Sequence, residues 1–181
     1  MKAAVFIDRD GILNTVQVVR GQPVSPKSVA EFQPNLWALP VLQRLRNSGL
    51  LLIATTNQPG VSQGVMFRRD VEWMHEKLGS ALKLDDVFLC PHEEADGCNC
   101  RKPKPGLLKE AAHKWQIDLG RSFVVSQKWQ DAEAARHVGC TSLLLHSPWN
   151  GRSHHDFVMP DFAAATGKIL QLTASQQLVE A

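Results

Sequence analysis

Short hydrophobic runs recur along the chain, and each is bounded by polar or turn-forming residues. They cover residues 3–7, 50–55, 86–89, 122–125 and 141–145. Runs that are apolar throughout, rather than alternating, are typical of strands covered on both faces, as in a parallel sheet. The pattern therefore predicts buried strands at these five positions.

Between the runs lie segments whose apolar residues repeat at helical spacing. The predicted helices cover residues 36–45, 71–82, 106–116, 129–139 and 161–174. In the first, the leucines at positions 36, 39, 42 and 45 share one face, and Asn47-Ser48-Gly49 ends the helix. Residues 147–160 are predicted to form a loop before the last helix. Strands that alternate with helices predict an α/β fold with a parallel sheet covered on both faces.

Polar side chains follow four of the predicted strands. Asp8 and Asp10 follow the first, Thr56-Asn57-Gln58 the second, a cysteine-rich loop the third and Gln127-Lys128 the fourth. Right-handed crossovers place the carboxyl ends of parallel strands at one edge, and ligands bind in the crevice outside that edge. We therefore expect these groups to converge on one site.

The length and the net charge of the chain exclude some classes of function. The chain has 181 residues, which suits one domain over residues 1–181, and its net charge of +2 is too small to indicate a nucleic-acid or membrane surface. No run approaches the roughly 18 apolar residues of a membrane span, and the charges at residues 8–10 interrupt the first run before it could form a signal peptide. We expect a cytoplasmic monomer whose partner is a small molecule, without nucleic-acid or membrane partners.

Three of the four cysteines fall within eleven residues. Cys90-x-His92 and Cys98-x-Cys100 supply three thiolates and one imidazole, a complete tetrahedral shell for a structural Zn²⁺. Reduced cysteines without a metal are the alternative. A zinc ribbon for nucleic acid is disfavoured by the small net charge and the lack of interleaved aromatic residues. Cys140 stands apart and suits a small buried position in the core.

Asp8 and Asp10 belong to an Asp-Arg-Asp-Gly tetrapeptide, which alone is more often a solvated surface turn. Together with residues 55–64 and 90–106, this stretch resembles the signatures of the haloacid dehalogenase (HAD) superfamily of aspartate-nucleophile phosphatases. The heptose bisphosphate phosphatases and the histidinol-phosphate phosphatases are its most similar branches. The resemblance covers residues 3–145 and implies a Rossmannoid three-layer sandwich with a minimal cap.

The resemblance implies a catalytic role for four residues. Asp8 would be the nucleophile that forms an aspartyl-phosphate. Asp10 would be the general acid and base, and it would begin the cycle protonated or sharing a proton, because the neighbouring charge of Asp8 raises its pKa. Thr56 would donate its hydroxyl group to the phosphoryl oxygens, and Lys102 would neutralise their charge.

Substrate and metal ligands are implied in the same way. Asn57, Arg101 and Lys128 would bind the substrate, and Arg101 would clamp a phosphate or a sugar hydroxyl. Mg²⁺ would be bound by Asp8, Asp10, Gln127 and Asp131. Gln127 stands where the family pattern Gly-Asp-Lys-x-x-Asp has its metal-binding aspartate. An uncharged amide weakens Mg²⁺ binding, and Asp131 is expected to compensate directly or through water.

These residues predict a Mg²⁺-dependent phosphatase that acts on a small phosphorylated sugar such as a heptose bisphosphate. Two alternatives stay open. One is histidinol phosphate as the substrate, and the other is a catalytically weakened relative that binds a phosphorylated ligand or a partner protein. The sequence leaves the ester open, and the loops at 14–30, 57–66 and 90–105 are the candidates for selecting it, with Arg20 as a candidate contact.

Overall fold

The computed structural model describes residues 1–151 and 154–179 and contains eight strands within that part of the chain. The strands are β1 (Ala4–Asp8), β2 (Gln17–Val19), β3 (Gln22–Val24), β4 (Leu51–Asn57), β5 (Asp86–Cys90), β6 (Phe123–Ser126), β7 (Thr141–Leu145) and β8 (Phe157–Met159). Six of them form one parallel sheet in the order β5-β4-β1-β6-β7-β8, and β2 pairs with β3 as an antiparallel hairpin. The five strands predicted from the hydrophobic runs are all confirmed.

The sixth strand, β8, lies inside the segment predicted to be a loop, so that prediction was wrong for residues 157–159. The Asp156 carboxylate accepts hydrogen bonds from the Ser142 amide and hydroxyl, and the His146 amide donates to the Met159 carbonyl. These contacts align β8 along the edge of β7. No hydrophobic pattern in the sequence predicts such a short, half-exposed strand. Residues 152 and 153 of the predicted loop lie outside the described residues.

Helices cover both faces of the sheet. They are α1 (Leu39–Asn47), α2 (Arg68–Leu82), α3 (Gly106–Trp115), α4 (Trp129–Arg136) and α5 (Phe162–Val179). α1, α2 and α5 pack on one face, and α3 and α4 pack on the other. The α/β fold with a parallel sheet and the three-layer arrangement are therefore confirmed.

The first helix differs from its prediction at the start. Leu36 lies in a short 3-10 turn that precedes α1, and 59% of its surface is exposed, whereas Leu42 and Leu45 are fully buried. Pro40 occupies the first turn of α1, where a missing amide hydrogen costs nothing. The leucine face of this segment therefore does not include Leu36.

All carboxyl ends of the parallel strands lie at one edge of the sheet, and the polar loops follow there. Between β1 and β4, the chain forms only the β2–β3 hairpin, the 3-10 turn and α1, so the cap is minimal. Arg20 lies at the tip of the hairpin and is exposed. No helix among the described residues is long and apolar enough to cross a membrane.

Candidate active site

Asp8 is the last residue of β1, the strand at the centre of the sheet, and its side chain is buried. After it, the chain turns sharply at Gly11, whose φ of +93° favours glycine. A side-chain carbon at Gly11 would also lie 2.7 Å from Gln127 Oε1. Glycine therefore allows the loop after β1 to approach the loop after β6, which brings Gln127 next to the turn that follows Asp8 and Asp10.

Two lysines flank the Asp8 carboxylate. Lys102 Nζ donates to Asp8 Oδ1 at 2.7 Å, and Lys128 Nζ lies 2.8 Å from Asp8 Oδ2. The second contact is an ion pair without hydrogen-bond geometry, so Oδ2 is a buried oxygen with no hydrogen-bond donor. Burial raises the pKa of Asp8, but the charges of Lys102 and Lys128 outweigh burial and hold that pKa below its ordinary value. Asp8 is therefore an ionised carboxylate, as a nucleophile must be.

Lys102 is held by four neighbours, of which the Thr55 carbonyl accepts the longest hydrogen bond, at 3.4 Å. Its ammonium group also donates to Asp131 Oδ1 at 2.6 Å, and its backbone amide and carbonyl each form a 3.1 Å hydrogen bond with the Asn57 side chain. Burial lowers the pKa of Lys102, but Asp131 and Asp8 raise it more, so the group stays charged. The Asn57 side chain, a predicted substrate ligand, thus holds the Lys102 backbone in place.

Asp131, a predicted Mg²⁺ ligand, has hydrogen bonds to both of its carboxylate oxygens. Its Oδ1 accepts from Lys102, and its Oδ2 accepts from the Ser126 hydroxyl at 2.9 Å. Asp131 is buried, and through these contacts it orients Lys102. Its compensation for Gln127, directly or through water, stays a prediction.

Asp10 has both carboxylate oxygens occupied. Arg9 donates to Oδ1 through Nε at 3.1 Å and Nη2 at 2.9 Å, while Ser25 and Gln58 each donate to Oδ2 at 2.7 Å. Burial raises the pKa of Asp10, but Arg9, Lys128 and the hydrogen bond from Ser25 lower it below its ordinary value. The expectation that Asp10 rests protonated was wrong, because nearby cations and hydrogen-bond donors outweigh the charge of Asp8.

Thr56 lies at the end of β4, beside the same edge, and its side chain is buried. Its hydroxyl oxygen accepts a 2.8 Å hydrogen bond from Gln58, whose amide also donates to Asp10. The Thr56 hydroxyl hydrogen is therefore available for an acceptor in the crevice. A phosphoryl oxygen is such an acceptor.

The cysteine loop after β5 brings its four predicted ligands together. All ligand atoms lie within 4.8 Å of one another. The three sulfur–sulfur distances are 3.2, 3.5 and 3.7 Å, and His92 Nδ1 lies 3.2 Å from Cys100 Sγ and 3.7 Å from Cys90 Sγ. A tetrahedral Zn²⁺ with bonds of about 2.3 Å to sulfur separates its ligands by about 3.7 Å. The four side chains therefore fit a structural Zn²⁺ site.

The cysteine loop leads directly into Lys102, whose ammonium group contacts Asp8. Arg101 and Lys102 follow the last ligand, and Arg101 Nη1 donates to the His92 carbonyl at 3.1 Å. Lys104 donates to the carbonyls of Gly97 and Cys98, so it stabilises the loop from outside the site. A bound Zn²⁺ would fix the backbone that positions Lys102.

Several known proteins are similar to this chain in sequence and in fold. A family profile described as HAD-hydrolase-like matches residues 99–165. The D-glycero-beta-D-manno-heptose-1,7-bisphosphate 7-phosphatase of Helicobacter pylori J99 is 37% identical over 148 residues, which are 78% of this chain and 82% of that protein. The enzyme of the same name from Bordetella bronchiseptica is 29% identical over 180 residues, 92% of this chain and 97% of that protein. The chain belongs to the heptose bisphosphate phosphatase family of the HAD superfamily.

A solved structure extends the comparison to the fold. The D,D-heptose 1,7-bisphosphate phosphatase of B. bronchiseptica, crystallised with magnesium and phosphate, superposes with a TM-score of 0.79 at 30% identity. The match covers 94% of this chain and 99% of that one. As a HAD-family phosphatase, this chain is a hydrolase of phosphate monoesters, and the resemblance inferred from its motifs is confirmed.

The crevice of this HAD phosphatase also offers oxygen ligands of the kind that Mg²⁺ prefers. Asp8 Oδ2 is buried without a hydrogen-bond donor, and Gln127 Oε1 faces the turn at Gly11 that follows the two aspartates. A cation at this place would share Oδ2 with the Lys128 ammonium group, which lies 2.8 Å from it. These residues fit Mg²⁺, although Gln127 contributes no charge.

Two clefts open beside the catalytic group. One, of about 360 Å³, is lined by Arg101, Lys102 and Lys104 together with Glu93 and Glu94. The other, of about 390 Å³, lies between Lys128 and the β2–β3 hairpin, with tryptophans on its walls. The Trp149 indole donates to the Gly21 carbonyl at 2.9 Å and thereby joins the hairpin to this second cleft.

Sequence reasoning missed several residues that organise the site, above all Arg9, Ser25, Ser126 and His75. Arg9 is fully buried although it is an arginine between two aspartates. The only available signal was its place inside a motif that follows a buried strand. Ser25 lies in a loop with no motif, and its contact with Asp10 depends on tertiary folding.

Proposed function

We propose that this chain removes one phosphate from a sugar bisphosphate of the heptose 1,7-bisphosphate class, through an aspartyl-phosphate on Asp8 and with Mg²⁺. The observation that carries the proposal is the ionised Asp8 between two lysines, at the edge of the sheet where Thr56 also lies. The relatives named for this substrate class match over most of the chain and support the choice of substrate.

Each residue of the crevice has a chemical task in this proposal. The Asp8 carboxylate forms a bond to phosphorus as the ester bond to the sugar oxygen breaks, and the Thr56 hydroxyl and Lys102 ammonium stabilise the transferred oxygens. Mg²⁺, when bound, would neutralise charge on Asp8 and the phosphate and hold them together. Asp10 is ionised in this arrangement, so it is ready to accept the proton of the water that attacks the aspartyl-phosphate. To protonate the leaving sugar oxygen, Asp10 must first take up a proton.

The cleft with Arg101 and Lys104 is the candidate site for the second phosphate. Its positive side chains lie next to Lys102, within reach of a bisphosphate whose other end is at Asp8. Glu93 and Glu94 line the same cleft and limit its net charge, so the guanidinium of Arg101, which can form forked hydrogen bonds, is the best phosphate ligand there.

Substituting Arg101→Met should raise KM for a heptose 1,7-bisphosphate about 10- to 100-fold, because a charge-assisted hydrogen bond contributes roughly 1.5–3 kcal/mol. The KM for a sugar monophosphate should change little. Steady-state phosphate release from both esters measures the effect, and Lys109→Met on the exposed face of α3 is a control for loss of a surface charge. Equal increases in both KM values would contradict a second-phosphate site at Arg101.

Substituting Gln127→Asp should lower the Mg²⁺ concentration for half-maximal hydrolysis about 10- to 100-fold, because it restores a negative charge close to the cation. The Mg²⁺-dependent rise in melting temperature should shift to lower concentrations in parallel. Gln43→Asp adds the same charge on the exposed face of α1, away from the site, and serves as the control. An unchanged Mg²⁺ requirement in Gln127→Asp would place the cation elsewhere.

A catalytically weakened protein that only binds a phosphorylated ligand is the second candidate, and Gln127 is the observation that favours it. Incubation with a panel of sugar phosphates and histidinol phosphate, over a wide range of Mg²⁺ concentrations, separates the two. Ligand binding without phosphate release would favour the second candidate, whereas release of phosphate from one ester also identifies the substrate.

The oligomeric state and the compartment stay predictions. A monomer in the cytoplasm agrees with the small-molecule substrate proposed here. Light scattering of the purified full chain measures the oligomeric state directly.

A further inference from the structure

α2 contributes one histidine, His75, to the buried side of the site. Its Nε2 lies 3.1 Å from Nη1 of Arg9, the arginine that donates twice to Asp10. A guanidinium carries hydrogens on all its nitrogens and accepts none. At this contact His75 Nε2 must therefore be the acceptor, so the ring is neutral and carries its hydrogen on Nδ1.

The surroundings of His75 support this protonation state. Burial and the charge of Arg9 both lower its pKa, to about 3, while Asp10 raises it only in part. A protonated ring would put two positive charges in contact. Neutral histidine is thus the form that the buried arginine requires.

Arg9 depends on few contacts for its orientation. It is completely buried, and its guanidinium lies 5.4 Å from the centre of the Phe32 ring. This contact fixes the distance of the guanidinium from the ring but not its orientation. The hydrogen bonds to His75 on one side and to Asp10 on the other define that orientation.

We propose that His75 is a positioning residue for the phosphatase reaction: by accepting a hydrogen bond from Arg9, it directs the other guanidinium nitrogens to Asp10 Oδ1. The inference rests on the proposed function, in which Asp10 exchanges protons with the leaving oxygen and with water. With Oδ1 bound by Arg9, the Asp10 carboxylate can rotate little, so Oδ2 stays on the side of Ser25 and Gln58.

Three variants test the inference by steady-state kinetics. Substituting His75→Leu removes the acceptor, and we expect kcat to fall about 10- to 100-fold, a part of what general acid–base catalysis supplies. KM should stay within about two-fold, because His75 does not line either cleft. Substituting His75→Gln places an acceptor oxygen near the position of Nε2 and should recover most of kcat. His113→Leu, on the exposed face of α3, makes the same chemical change away from the site and should alter neither constant.

A kcat of His75→Leu equal to that of the unmodified protein would overturn the inference. So would a folded His75→Gln that recovers nothing, with folding measured by the melting temperature. The nitrogen-15 NMR spectrum of the full chain gives a second measurement that needs no activity. It should show His75 with hydrogen on Nδ1 and a slowly exchanging Arg9 Nη1 hydrogen that is lost in His75→Leu and retained in His75→Gln. If no ester is hydrolysed, the proposed function fails, and these spectra still decide whether His75 orients Arg9. A protonated His75 ring at neutral pH would contradict the inference that His75 orients Arg9.

Discussion

Substituting Asp8→Asn is expected to lower kcat by at least about 10⁴-fold, because a neutral amide replaces the charged carboxylate that attacks phosphorus. The amide has nearly the same shape as the carboxylate, and Lys102 keeps its other partner, Asp131. The fold should therefore persist. Phosphate release under saturating Mg²⁺ measures the loss, and Asp70→Asn in the first turn of α2 is the matched control away from the site.

The same variant tests the covalent intermediate. The unmodified protein, quenched in acid during turnover, should carry a phosphoryl group on the peptide that contains Asp8, detected by mass spectrometry. Asp8→Asn should carry none. A phosphoryl group on another residue, or substantial turnover by the variant, would contradict the assignment of Asp8 as nucleophile.

Substituting Cys98→Ala is expected to release Zn²⁺ and to lower kcat/KM about 100-fold or more, because displacements of about 1 Å in catalytic groups have effects of this size. The physical link is short, since Lys102 lies two residues after the last ligand, Cys100. The loop should also become sensitive to protease, because ligand binding supplies much of the folding free energy of small zinc sites. Metal analysis, kinetics and limited proteolysis measure these effects together.

Cys140→Ala is the matched control for this substitution. Cys140 is a buried cysteine between α4 and β7, outside the cluster, so its removal should leave zinc content and activity unchanged. Zinc retained at one ion per chain in Cys98→Ala would show that the four side chains do not act as one site. Full activity of a zinc-free variant would show that the loop positions Lys102 without metal.

Patterns along the chain were sufficient for most of the fold. Continuous apolar runs identified the strands because a strand covered on both faces has no exposed position for a polar residue. β8 was not predicted because only three of its residues pair with β7, and they are half-exposed at the edge of the sheet. Leu36 was misplaced because helical spacing does not reveal where a 3-10 turn precedes the α-helix.

The candidate site was recognisable because its residues belong to local motifs. Asp8, Thr56, Lys102 and the four zinc ligands stand at fixed short distances from strand ends, and those ends converge in a parallel sheet. Contacts between residues that are far apart in the chain could not be predicted from these motifs. Lys102 and Asp131 are 29 residues apart, and the role of Asp131 became apparent only from their 2.6 Å contact.

By itself, the sequence determined the order of five of the eight described strands and of the helices between them, the residues at the catalytic edge and the composition of the predicted zinc site, because periodicity and short-range spacing encode these features. Only the tertiary structure decided which charges meet. The ionisation of Asp10 depends on Arg9, Ser25 and Gln58, and the orientation of Arg9 depends on His75, which comes from a separate helix. Electrostatic interactions act through space, so the protonation state of a buried group follows from packing rather than from neighbours in the chain.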